Sequence, residues 1–254
     1  MELVKCQVEN KYIQMAIKNS KSKQKSKILD TNLELKFDIN QQYKLCEVHK
    51  DFVTNSFKQN TKIVMIDGPA GSSKTYLSAY VALSLLKQKH VKEIVYIRSV
   101  VESASKKLGF LPGDEHSKFQ PWSLPMIEKC DELIGMVETN NLLSAELIKC
   151  TPVNFLRGTT FKDVAVIVDE AQNLELNELI TILTRFGNNS KLFLIGDSMQ
   201  SDINGKSGFR KIYEAFNNKD SEQNGILNFK FTNNEITRSE LLKYIISVVE
   251  HIKK

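Results

Sequence analysis

An α/β fold built on a doubly wound, mainly parallel five-stranded sheet, with helices on both faces, follows from three features of the sequence. Five short apolar blocks are nearly continuous, helical patterns lie between them, and a glycine-rich turn joins the first block to a helix. Continuous apolar blocks suit strands covered on both faces of a parallel sheet, because neither face meets water. Helices between them supply the crossovers that parallel pairing demands. The blocks are Ile63–Asp67, Ile94–Arg98, Val164–Asp169, Leu192–Gly196 and Ile226–Phe231.

Residues 1–30 differ from the rest. Lysines 18, 21, 23, 25 and 27 stand in a polar run without apolar periodicity, so a flexible arm is expected, either solvated or touching phosphates. Residues 31–254 are expected to form the folded domain. A helix at about Gln41–Phe57 precedes the first strand, and Thr75–Gln88 carries Leu77, Val81 and Leu85 at helical spacing. Asn177–Phe186 and Leu241–Ile252 show similar stripes. Between them, residues 99–160 are expected to form a helical insertion, with helices around Leu124–Thr139 and Asn141–Cys150.

Composition limits the class. The chain has 254 residues, 41% of them hydrophobic, which is enough for a real core. No apolar run approaches the roughly 18–20 residues needed to cross a bilayer, and no apolar signal core opens the sequence. A cytoplasmic protein without membrane association is expected. Cys6, Cys46, Cys130 and Cys150 are far apart and form no CxxC pair, so reduced thiols are expected, some of them in the core. The net charge of +5 permits a nucleic-acid partner without establishing one.

Chemistry enters at Gly68-Pro69-Ala70-Gly71-Ser72-Ser73-Lys74-Thr75, directly after the first strand. Backbone N–H groups of such a turn surround phosphate oxygens, aided by the positive end of the following helix. Lys74 is placed to reach the β- and γ-phosphates, and the Thr75 hydroxyl to ligate Mg²⁺, of a bound ATP. The usual pattern has glycine where Ser73 stands. Serine is expected to fit if its backbone stays helical or extended, with reshaped nucleotide contact.

The block Val164–Val168 carries Asp169 and Glu170 to the carboxyl end of its strand, the edge at which open α/β sheets bind ligands. Asp169 is expected to hold Mg²⁺ and Glu170 to orient or deprotonate a water. Leu192–Ile195 ends in Gly196-Asp197-Ser198-Met199-Gln200, where the Gln200 amide either senses the γ-phosphate or the attacking water, or faces solvent.

Together these stretches resemble the PhoH family of phosphate-starvation ATPases. Arg98-Ser-Val-Val-Glu102, Leu108-Gly-Phe-Leu-Pro-Gly-Asp114, Phe155-Leu-Arg157-Gly158-Thr-Thr-Phe161 and Glu235-Ile-Thr-Arg238 extend the resemblance across roughly residues 61–252. It implies a RecA-like P-loop NTPase core related to superfamily 1 helicases, ATP hydrolysis, and action on RNA or single-stranded DNA. Stand-alone versions common in bacteriophages are the nearest in style. Gln41 or its neighbour Gln42 is a counterpart of an adenine-reading glutamine, or simply a helix start.

Hydrolysis in this class is accelerated roughly 10³–10⁵-fold by a guanidinium on the γ-phosphate. With one such core in the sequence, that arginine is expected from the same domain or from a neighbouring subunit in a ring, a hexamer being one possibility. Arg238 and Arg157 are the candidates; each has the alternative of pairing with a surface acid. Lys106, Lys107, Lys118, Phe119 and Trp122 in the insertion suit single strands by phosphate pairing and base stacking, or else pin the insertion to the core. Three functions compete: a nucleic-acid motor or remodeller, an ATPase switch acting on a protein, and a small-molecule kinase. The kinase is disfavoured because the Asp-Glu-Ala-Gln and Gly-Asp-x-x-Gln runs suit water activation.

Overall fold

The computed structural model describes residues 35, 37–99, 115–153, 160–201, 203, 206–237, 241, 243–246 and 248. Four predicted blocks form strands as expected: β1 (Ile63–Asp67), β2 (Glu93–Arg98), β4 (Val164–Asp169) and β5 (Lys191–Gly196). β6 (Ile226–Lys230) stops one residue short of its predicted end. A sixth strand, β3 (Ile148–Pro152), was not predicted. All pairings are parallel, and the order is β3-β2-β4-β5-β1-β6.

Burial follows the two-residue period of a strand. Val64, Ile66, Ile94, Tyr96, Ala165, Ile167, Phe193 and Ile195 share one core. It is closed by α1 (Glu47–Phe57), α2 (Lys74–Lys87) and α3 (Glu115–Ile134). Met65, Val95, Ile97, Val166, Val168, Leu192 and Leu194 face the opposite core. There the cover comes from α5 (Leu176–Leu183) and α6 (Phe209–Ala215). Helices therefore cover both faces. α2 is buried without a break from Tyr76 to Leu86, which explains why its sequence is apolar on nearly every side.

The insertion departs from expectation. The predicted helix Leu124–Thr139 is two helices, because α3 ends at Ile134 and α4 runs over Met136–Ser144. Gly135 between them has φ 84°, a left-handed value that an ordinary residue resists. The predicted helix Asn141–Cys150 is the end of α4, a turn through Glu146, and edge strand β3. An edge strand needs no continuous apolar block, and Lys149 uses its exposure to pair with Glu93 of β2 at 2.6 Å. The first helix starts at Glu47, not Gln41, and α7 (Lys219–Gln223) was unforeseen. Helix is present at Leu241, Lys243–Ile246 and Val248.

Cys46, Cys130 and Cys150 are free thiols. Burial pushes the Cys150 thiol up to about 12 and raises that of Cys130 as well, so both act as core fillers. Among the described residues, no helix is long and apolar enough to cross a membrane. The predicted N-terminal arm at 1–30 lies outside the described residues.

Candidate functional site

Strand register sets the site. β1 aligns Asp67 with Gly196 of β5 and Lys230 of β6, while β2 and β4 align Arg98 with Asp169. The carboxyl ends of five strands therefore stop on one line. β5 lies between the strand that feeds the phosphate loop and the strand that carries the acids. The loop and acids are thus not adjacent in the sheet. They meet at the first turn of α2, where Thr75 Oγ1 donates to Asp169 Oδ2 at 3.0 Å.

Residues Gly68–Thr75 leave β1 and enter α2 as predicted. Gly68 is forced by its neighbour, since a Cβ there would stand 2.7 Å from Phe231 Cβ and 3.0 Å from Phe231 O. Ser72 is buried and its Oγ donates to Pro69 O at 2.8 Å. Lys74 Nζ donates to Gly68 O at 2.6 Å and Pro69 O at 2.7 Å, so it lies folded over the mouth of the loop. Burial lowers the Lys74 pKa, opposed by the charges of Asp197, Asp169, Glu170 and Asp67.

Ser73 corrects the sequence expectation. Its backbone is neither helical nor extended but left-handed, at φ 62° and ψ 19°. Glycine is usual there because of this φ as well as the lack of a side chain. The serine hydroxyl lies 2.6 Å from Thr237 Oγ1.

The acids are held from several directions. Asp169 Oδ2 also accepts from the buried Tyr96 hydroxyl at 2.8 Å, and Asp169 Oδ1 accepts from Glu170 N at 3.0 Å. Burial and the nearby Asp169 carboxylate push the Tyr96 phenol well above its ordinary value, keeping it a donor. Glu170 has a left-handed backbone, φ 53°, which turns its side chain out of the strand direction. Its Oε2 accepts from Gln172 Nε2 at 2.6 Å, and its Oε1 lies 3.5 Å from Arg98 Nη2. The same Gln172 accepts from Asp197 N through Oε1 at 3.0 Å, tying the acidic turn to the turn after β5.

That second turn is braced by Asp67. Its carboxylate accepts from Ser198 N at 2.8 Å and Ser198 Oγ at 2.7 Å, and it pairs with Lys230. Burial raises the Asp197 pKa. Gln200 is half-buried in this turn, its N–H donating to Asp197 O at 3.0 Å. Tyr96, Arg98 and Asp67 are members of the site that the sequence does not mark by a role of their own, and Gln172 is marked only as part of the Asp-Glu-Ala-Gln run. Tyr96 read as one more apolar strand residue, and its signal exists only in the pairing register.

Gln41 and Gln42 precede α1. The Gln41 amide donates to Tyr43 O, whereas Gln42 donates from its backbone to Tyr76 Oη at 3.1 Å and from its side chain to Glu132 O at 3.0 Å. Tyr43 and Tyr76 stack edge to face at 4.7 Å between centroids. This joins the segment to the first turn of α2, close to the loop. Arg157, Arg238, Lys106 and Lys107 lie outside the described residues; Lys118, Phe119 and Trp122 fall on α3.

The residues present fit a magnesium ion. Thr75 and Asp169 offer two hard oxygens within 3.0 Å of each other. Among the described residues, no three His, Cys, Asp or Glu side chains cluster to hold a metal alone. Magnesium asks for few protein ligands when phosphates and waters complete its octahedron.

A parallel sheet with a glycine-rich loop running into a helix, and an acidic strand end within hydrogen-bond reach of that helix, defines the P-loop NTPase class. Comparison with known proteins narrows this. The PhoH profile, described as "PhoH-like protein", matches residues 45–250. A "PhoH-like protein" of Bacillus subtilis (strain 168) is 34% identical over 197 residues, covering 77% of this chain and 60% of that protein. "Protein PhoH" of Escherichia coli (strain K12) is 33% identical over 175 residues, 67% of this chain and 49% of that one. A "PhoH-like protein" of Synechocystis is 37% identical over 145 residues, 57% and 44% respectively. The chain belongs to the PhoH family, and it spans between 44% and 60% of the length of these relatives.

Proposed function

We propose that the chain is a Mg²⁺-dependent ATP hydrolase whose turnover is coupled to RNA or single-stranded DNA. The observation that carries this is the Thr75–Asp169 contact at 3.0 Å, which joins the phosphate loop to the acidic strand across β5. Loop amides from Gly71 to Thr75 cradle the phosphates at the α2 N-terminus, and Lys74 swings from its carbonyl acceptors to the β- and γ-oxygens. Thr75 and Asp169 hold the metal, directly or through water. A magnesium ion there neutralises phosphate charge when bound.

Glu170 orients and deprotonates the attacking water, steadied by Gln172 and Arg98 so that its carboxylate presents one geometry. Gln200 positions the water or reports on the terminal phosphate. Either Gln41 or Gln42 reads the adenine; each side-chain amide would exchange one present hydrogen bond for the base, Gln41 that to Tyr43 O and Gln42 that to Glu132 O. Arg238 or Arg157, from a neighbouring subunit in a ring such as a hexamer, completes the charge stabilisation. Lys106, Lys107, Lys118, Phe119 and Trp122 supply the strand contact.

The test is ATP turnover with Mg²⁺, measured alone and with single-stranded RNA, single-stranded DNA and duplex. Several-fold stimulation by a single strand supports the coupling. Turnover that no polymer changes would replace it with a switch directed at a protein. Absence of turnover under every condition would remove the hydrolase itself.

A further inference from the structure

Ser73 sits where the loop pattern normally carries glycine, and its left-handed backbone is one that side-chain-bearing residues resist. A left-handed residue beside a helix start turns successive N–H groups to one side and makes an anion-binding hollow. Something must therefore keep a serine there that would relax elsewhere if free.

Ser73 Oγ and Thr237 Oγ1 are 2.6 Å apart. Thr237 also donates from its backbone N to Gly71 O at 3.2 Å and from Oγ1 to Gly71 O at 3.4 Å. The stretch that delivers Thr237 is itself fixed. Phe231 N donates to Asp67 O at 2.8 Å, Phe231 packs against Gly68, and Glu235 closes a capping box with Thr232 at 2.6 and 2.7 Å. The two ends of the phosphate loop thus rest on one braced segment following β6, Gly68 on Phe231 and Ser73 on Thr237.

We propose that Ser73 and Thr237 form a positioning lock that holds the phosphate loop in its phosphate-receptive shape, the Thr237 hydroxyl doing for a serine what glycine does unaided. This rests on the nucleotide-binding function proposed above and assigns a role to two side chains that it does not itself use. The lock has a specific genetic signature. The Thr237 hydroxyl matters most for phosphate binding while residue 73 carries a side chain, since without one only its longer 3.4 Å contact to Gly71 O remains.

The experiment measures affinity for a non-hydrolysable ATP analogue with Mg²⁺ in the unsubstituted protein, T237V, T237S, S73G and the S73G/T237V double variant. T237V, which keeps shape and loses the hydroxyl, is expected to weaken binding about tenfold, the cost of one unsupported left-handed residue. T237S is expected to bind like the unsubstituted protein, and S73G at least as tightly. In the double variant the valine is expected to cost much less than in the single variant, because only the 3.4 Å contact to Gly71 O is then lost, and this comparison also controls for any damage it does to folding. Unchanged binding in T237V overturns the lock, as does a valine that is equally harmful in the S73G background. No binding by the unsubstituted protein would overturn the nucleotide function itself, and the lock with it.

Discussion

Replacing Tyr96 by phenylalanine isolates the support of the proposed metal ligand. The Tyr96 hydroxyl donates to Asp169 Oδ2 at 2.8 Å, and the side chain is 1% exposed, so the substitution deletes one hydrogen bond and opens almost no space. A hydrogen bond to a charged acceptor contributes about 1.5–3 kcal/mol. Two features place this one at the low end. Asp169 keeps the Thr75 hydroxyl and the Glu170 N–H, each at 3.0 Å, and no donor is left stranded. The expected loss of stability is therefore about 1.5 kcal/mol. The functional loss is larger, because Asp169 Oδ2 loses one of its two donors and is held toward Thr75 less firmly. Removing a partner that orients a metal ligand costs about 10–100-fold in metal affinity. In a Mg²⁺ titration of ATP turnover, Tyr96→Phe should raise the half-saturating concentration by at least about tenfold while affinity for metal-free ATP stays unchanged. A titration curve superimposable on that of the unsubstituted protein would refute Asp169 as the metal-holding carboxylate.

Glu170→Gln should keep Mg-ATP binding and lose turnover by about 10²–10⁴-fold, the usual contribution of a positioned base, as read by a single-turnover assay. Gly68→Ala should destabilise the fold by about 1–3 kcal/mol in urea melts, because its Cβ meets Phe231 Cβ and the Phe231 carbonyl. Lys191 is buried, caps the end of α1 through Ser56 O and Lys58 O, and has its pKa lowered to about 8 by burial. The unfolded chain then binds the extra proton between about pH 8 and the free lysine value, so stability should rise with pH across that window. Melts at about pH 7.5 and about pH 9.5 should show the rise in the unsubstituted protein and its loss in Lys191→Met.

The interior of the sheet was legible because β1, β2, β4 and β5 are covered on both faces, and only continuous apolar blocks satisfy that demand. β3 was not, since Ile148-Lys-Cys-Thr-Pro152 is an edge strand that tolerates Lys149 and Thr151, and its pattern runs on from α4. The loop and the acids could be found by residue type and placement at strand ends. Their partners could not. Tyr96 reaches Asp169 only because β2 and β4 pair in one register, and Gln172 bridges two turns that are distant in sequence. The left-handed backbone of Ser73 was hidden for a different reason: glycine at that position reads as a need for space, and its conformational role emerges only with φ.

The loop ending in Lys74 and Thr75 is proposed to bind a magnesium-bound nucleoside triphosphate. Calorimetric titration of ATP with Mg²⁺ into the unsubstituted protein and into Lys74→Ala tests it most directly. Saturable binding by the first, and its loss in a Lys74→Ala protein that melts normally, is the predicted result. Equal binding by both proteins, or none by either, would contradict it.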